Sequence, residues 1–62
     1  MKYSEIERKL RRYGCYCVDE RGRHPEWFSP LTGLTFYLSH HKSEEVMTGT
    51  LNKISKASGI KF

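Results

Sequence analysis

The segment CYCVDERGRHPEWFSPLTGLTFYL (Cys15–Leu38) decides the fold. It holds three runs of strand-forming residues separated by two groups of turn residues. The first run, Cys15 to Glu20, ends at the pair Arg21-Gly22. Its register is ambiguous, because Cys15 and Cys17 compete with Tyr16 and Val18 for the core side. The second strand runs from about His24 to Ser29. Pro25 has no N–H to donate, so it belongs at the strand's first position or at a bulge. Ser29 to Gly33, S-P-L-T-G, is a proline-led turn closed by glycine. Leu34 to Leu38 is the third strand. Its alternation predicts Leu34, Phe36 and Leu38 facing in, with Thr35 and Tyr37 facing out.

A helix is predicted on each side of this segment. Ser4 to Tyr13 places Tyr3, Ile6, Leu10 and Tyr13 on one apolar stripe. Ser4 is the expected cap, with Glu7 completing a capping box. Glu5 with Lys9 and Glu7 with Arg11 are favourable i,i+4 pairs. Gly14 suits the left-handed residue that ends a helix, with Cys15 folding back on Leu10. The second helix is Thr48 to Ser58, where Met47, Leu51, Ile54 and Ser58 keep four-three-four spacing. Gly59 stops it and Ile60 packs back on Ile54. Between strand and helix lies a polar loop containing His40, His41, Lys42, Ser43, Glu44 and Glu45. The order helix, three strands, helix predicts an α+β domain: two layers, with both helices on one face of an antiparallel meander.

Sixty-two residues allow one domain at most, and a chain this short is marginally stable alone. A net charge of +4 favours a polyanionic partner, either nucleic acid, a membrane surface or an acidic protein. No apolar run reaches the roughly 18 residues that span a bilayer. The charges after Met1 break up any signal-peptide core, so a cytoplasmic protein is expected. Cys15 and Cys17 lie too close for an unstrained disulfide, and the cytosol keeps thiols reduced. A zinc site from Cys15, Cys17, His24 and His40 or His41 requires a C-x-C pair tighter than the usual spacing. No metal or other cofactor is therefore expected.

The chemistry concentrates in R-G-R-H-P-E-W-F (Arg21–Phe28). Gly22 offers the positive φ of a tight hairpin. His24 is of the one residue type whose unperturbed side chain gains or loses a proton near neutral pH, and Pro25 holds its backbone extended. Arg21 and Arg23 flank it with fixed charge suited to a phosphate. Trp27 is either core or a platform for a stacked base. Arg8, Lys9, Arg11 and Arg12 form a basic helix face, either solvated or contacting phosphates, and Lys53 and Lys56 face outward on the second helix.

The opening K-Y-S-E-I-E-R-K-L, the Y-G-C break, the R-G-R-H turn, the Trp27-Phe28 pair and the late G-T-L-N-K-I (Gly49–Ile54) resemble the HicA toxins of bacterial toxin–antitoxin systems. The resemblance covers nearly the whole chain and implies one HicA-like domain. It also implies the α-β-β-β-α fold of double-stranded-RNA-binding domains, cleavage of messenger RNA and a HicB antitoxin as partner. DNA contact would come only indirectly, through that antitoxin. The family's key histidine, in a G-S-H turn, matches His24. Arg23 replaces the usual serine, and Pro25 stands where a second histidine or another polar residue is common.

RNA is cut when its own 2′-hydroxyl attacks the adjacent phosphate. The enzyme then has only to move protons and stabilise charge. His24 is the expected proton-transfer group, with Arg21 or Arg23 offsetting the developing charge. No carboxylate cluster suggests magnesium, so the expected reaction is metal-independent and leaves a cyclic phosphate. His40, His41 and Tyr37 are candidates for the second proton-transfer group. Two other readings remain: a non-catalytic RNA-binding module of the same fold, and a small scaffold for an acidic protein surface.

Overall fold

The computed structural model describes residues 1–62. The elements are α1 (Tyr3–Arg12), β1 (Tyr16–Asp19), β2 (Glu26–Phe28), β3 (Thr35–Tyr37) and α2 (Thr48–Ser58). The strands form one antiparallel sheet in the order β1-β2-β3. This is the predicted α+β arrangement, in the order of double-stranded-RNA-binding domains.

Helix α1 buries Ile6 and Leu10 completely and Tyr3 in part. Tyr13 is half exposed, because the chain has already left the helix there with φ −95° and ψ 8°. Gly14 follows at φ 90°. The Cys15 amide then donates to Leu10 O at 3.0 Å and the Gly14 amide to Arg11 O at 3.1 Å. These are the two bonds of a Schellman ending.

The start of α1 differs from expectation. Its N-cap is Lys2, not Ser4, and the Lys2 amide donates to Glu5 Oε1 at 3.0 Å. The amides of Tyr3 and Ser4 donate to Glu44 O at 3.1 Å and Lys42 O at 2.9 Å. The first-turn donors that a helix leaves unpaired are thus satisfied by a loop some forty residues away. That pairing releases Glu7 from capping. Its carboxylate is buried and lies 3.6 Å from both Arg11 and Lys42. The expected Glu5–Lys9 pair does not form, because Lys9 Nζ donates to Lys61 O and lies 5.3 Å from the centre of the Phe62 ring.

The sheet's inner face carries Cys17, Trp27 and Phe36, paired across the three strands. These pack with Ile6, Leu10, Ile54 and Ile60 from the helices and their ends. A bulge between Cys17 and Asp19 resolves the ambiguous register of β1. It leaves Val18 unpaired and half exposed, and it brings Asp19 opposite Glu26. Leu34 faces solvent, contrary to its expected place in the core. It belongs to the turn, where its carbonyl accepts the Ser29 amide at 3.0 Å, so the two-residue alternation starts only at Thr35.

Helix α2 has its predicted bounds and buries Ile54 and Ser58. Met47 lies outside its stripe at 77% exposure, since it is the extended residue before the first turn. At the other end Gly59 takes φ 77°. Ser29 Oγ donates to Ser58 O at 2.6 Å, and Thr32 Oγ1 donates to Ala57 O. The β2–β3 turn thereby caps the C-terminal carbonyls of α2. No helix is long and apolar enough to cross a membrane.

Candidate functional site

His24 is exposed and sits in the bend Arg21–His24 that joins β1 to β2. Gly22 lies outside the positive-φ region, so this connection is not the tight glycine hairpin expected. Six residues, Glu20 to Pro25, span it. Pro25 is buried immediately before β2, and its carbonyl accepts the Leu38 amide at 3.0 Å. The proline thus stands where its missing N–H costs nothing. His24 is held at the sheet's end with its side chain in solvent.

Two shallow clefts meet at His24 and Tyr37. One, of about 330 Å³, is lined by Asp19, Gly22, Arg23, His24, Glu26 and Tyr37. The other, of about 520 Å³, adds Tyr3, Leu38, Ser39, His41, Glu44 and Thr50. The sheet register accounts for the first set. Asp19 pairs with Glu26 and Glu26 with Tyr37, one row along the strand from the Cys17–Trp27–Phe36 row that points inward. Asp19 and Glu26 were not anticipated here. Their parity relative to Trp27 carried a signal for Glu26, but the bulge hid it for Asp19.

Arg23 shares the first cleft with His24, as its neighbouring position predicts. Arg21 does not line either cleft. Its amide donates to Asp19 Oδ1 at 2.9 Å and its Nε lies 3.5 Å from the same oxygen, while the side chain is 94% exposed. The cleft therefore mixes Arg23 and His24 with two carboxylates, and the net positive charge lies elsewhere. Arg8, Lys9 and Arg12 line a separate concavity on α1 with Met1 and Glu5. Lys53 and Lys56 are exposed on α2.

Trp27, read from the sequence as core or as a stacking platform, is core. Trp27 is 2% exposed, with no face left for a base to stack on. Arg11 caps its ring, the guanidinium carbon 5.3 Å from the ring centre, and also pairs with Glu7. These contacts bias its position, yet its side chain is 61% exposed and the cation stays open to solvent.

The three histidines separate by position. His41 lines the second cleft with His24. His40 lines neither cleft, and its Nε2 lies 3.1 Å from the carbonyl of Gly22, a residue of the first cleft. A carbonyl only accepts, so His40 carries a proton on Nε2. No three His, Cys, Asp or Glu side chains gather as a metal site. The zinc set considered from the C-x-C pair is not assembled. Cys15 is buried in the core, and burial pushes the Cys17 thiol up.

The element order and sheet define a small basic α+β domain of the double-stranded-RNA-binding type, with one exposed histidine where two clefts join. A family model described as the HicA toxin of bacterial toxin–antitoxin systems matches residues 3–60, and the chain belongs to that family. It is thereby a toxin of a toxin–antitoxin system, a family of ribonuclease-type toxins with antitoxin partners. No curated protein and no solved structure gives a significant match.

Proposed function

We propose that residues 1–62 act as one HicA-like domain that cleaves messenger RNA in the cytoplasm and arrests translation. A HicB-like antitoxin inhibits it by covering His24. The observation that carries this reading is the place of His24, exposed at the junction of two clefts in a chain of the HicA family. RNA laid across that junction puts nucleotides on both sides of the scissile phosphate within reach of the imidazole. The 2′-hydroxyl attacks phosphorus, the P–O5′ bond breaks, and a 2′,3′-cyclic phosphate and a 5′-hydroxyl result. His24 takes the 2′-hydroxyl proton or protonates the leaving oxygen. Arg23 stabilises the extra negative charge from the same cleft. Arg8, Arg11, Arg12, Lys53 and Lys56 hold the RNA backbone, with an affinity that falls with salt.

The test is cleavage of a defined RNA by folded variants in EDTA. His24→Ala is expected to lose at least about 10²-fold in rate, with melting temperature and RNA affinity unchanged. Arg23→Ala is milder, since charge and not proton transfer is removed. A His24→Ala protein that cuts as fast as the parent moves the function to the non-catalytic RNA-binding module. Adding a HicB-like protein should raise the melting temperature and stop cleavage.

A further inference from the structure

The connection that carries His24 has no backbone hydrogen bond within residues 20–25. Three contacts hold it from outside. Asp19 Oδ1 takes the Arg21 amide at 2.9 Å at the start. Leu38 N donates to Pro25 O at 3.0 Å at the end. The middle has a single tether, His40 Nε2 to Gly22 O at 3.1 Å, from a residue two beyond Leu38. His40 belongs to the segment 38–45, whose later carbonyls at Lys42 and Glu44 bind the first turn of α1. The tether therefore ties the His24 loop to a segment that is itself anchored to a helix.

We propose that His40 is a positioning residue: its Nε2–H, held on the Gly22 carbonyl, fixes the loop that presents His24. It rests on the reading of His24 as the reacting group. His40 touches neither cleft, so it acts through the loop and transfers no proton to RNA. The loss of one exposed hydrogen bond loosens the loop by a factor set by that bond's net strength. A reacting group displaced by a fraction of an ångström loses rate accordingly.

Two readouts on His40→Ala and His40→Gln test this. The glutamine amide nitrogen lies roughly where Nε2 lies and can donate to Gly22 O, but it cannot shuttle a proton. The first readout is tryptic nicking after Arg21 and Arg23 under native conditions, referenced to nicking after Lys56 and read by mass spectrometry. His40→Ala is expected to speed nicking in the loop roughly 3- to 10-fold, and His40→Gln to return it close to the parent rate. The second is RNA cleavage, where His40→Ala should lower kcat by a similar roughly 3- to 10-fold with little change in KM, and His40→Gln should restore it. Unchanged nicking in His40→Ala overturns the tether. A His40→Gln protein that is held in the nicking assay but cuts RNA no better than His40→Ala overturns the positioning role and makes His40 a proton-transfer group. Nicking needs no ribonuclease activity, so a parent chain that fails to cut RNA refutes the catalytic reading while the tether is still decided.

Discussion

The connection Ser29–Leu34 and the connection Glu20–Pro25 each span six residues between neighbouring strands. The first closes on itself, with Gly33 N on Ser29 O at 2.8 Å and Ser29 N on Leu34 O at 3.0 Å. It also reaches down to α2 through the buried Ser29 hydroxyl. The second closes on nothing of its own; exposed contacts to Asp19 and His40 pin its start and middle, and only its last residue, the buried Pro25, is held from the core side by the Leu38 amide. A buried hydroxyl that satisfies a buried carbonyl is costly to lose, whereas an exposed bond competes with water. Two loops of equal length therefore serve different ends. One locks a helix to the sheet, and the other leaves His24 exposed, as the proposed reaction requires.

Ser29→Ala should show the largest effect of this contrast. It strips Ser58 O of its donor in a fully buried site, which should cost about 1–3 kcal/mol. For a domain of this size that lowers the melting temperature by several degrees, roughly 4–8 °C per kcal/mol. A melt indistinguishable from the parent would show that water or a shifted side chain replaces the hydroxyl, and the two connections would then be alike.

The glycines sharpen the comparison through opposite signs. Gly33 holds φ 73°, so Gly33→Ala pays the left-handed penalty and should destabilise by about 1 kcal/mol, although its Cβ meets nothing within 4 Å. Gly22 is outside that region, and a Cβ there would approach only His24 O, at 3.7 Å. Gly22→Ala should be neutral or stabilise by up to about 1 kcal/mol, because it restricts the unfolded chain. Urea unfolding of both variants decides; equal signs would contradict the assigned backbone geometry.

The smallest effect is one of pH, away from both connections. The Met1 ammonium donates to Glu45 Oε2 at 2.8 Å. That bond holds the Glu45 carboxyl below its ordinary value of 4.5 and the ammonium above its ordinary value of 8.0. The carboxylate's contribution is present above its unfolded value and is lost as pH falls through the lower folded one. The ammonium's is present below its unfolded value and is lost as pH rises through the higher folded one. Melting temperature should therefore decline gently on both sides of a plateau between about pH 4.5 and 8, and the effect is shallow because both groups are exposed. Glu45→Gln should remove this pair's contribution to both declines; slopes unchanged in that variant would assign them to other groups.

Much of the fold was legible because its signals are local. Gly14 after a basic helix end, Gly59 after the α2 stripe and Pro30 to Gly33 between strands each state their geometry within a few residues. What was not legible depends on distant partners. Ser4 looked like a cap because Glu7 stands three residues on, yet the acceptors that displaced it are carbonyls of residues 42 and 44. Leu34 and Met47 have the right spacing for the core but lie just outside the element whose period they extend. In the site, the place of His24 just before the strand, beside Arg23, was legible from Pro25, whereas the tight turn expected at Gly22 does not form. The neighbours Asp19 and Tyr37 arrive through sheet register and a bulge. Trp27 was ambiguous for a plain reason: an aromatic suits a covered core as well as a nucleic-acid surface.

The tie between α1 and the loop at residues 42 to 44 has a consequence for synthesis. Helix α1 is made before the sheet, but the acceptors for its first-turn amides emerge from the ribosome only after all three strands have been translated. A ten-residue helix is marginal in isolation, so α1 remains frayed at its start while β1 to β3 are being made. The same late segment supplies Lys42 to the buried Glu7 carboxylate. Long-range closure of this kind slows folding, and the bond from His40 to the Gly22 carbonyl likewise can form only once residue 40 has been made.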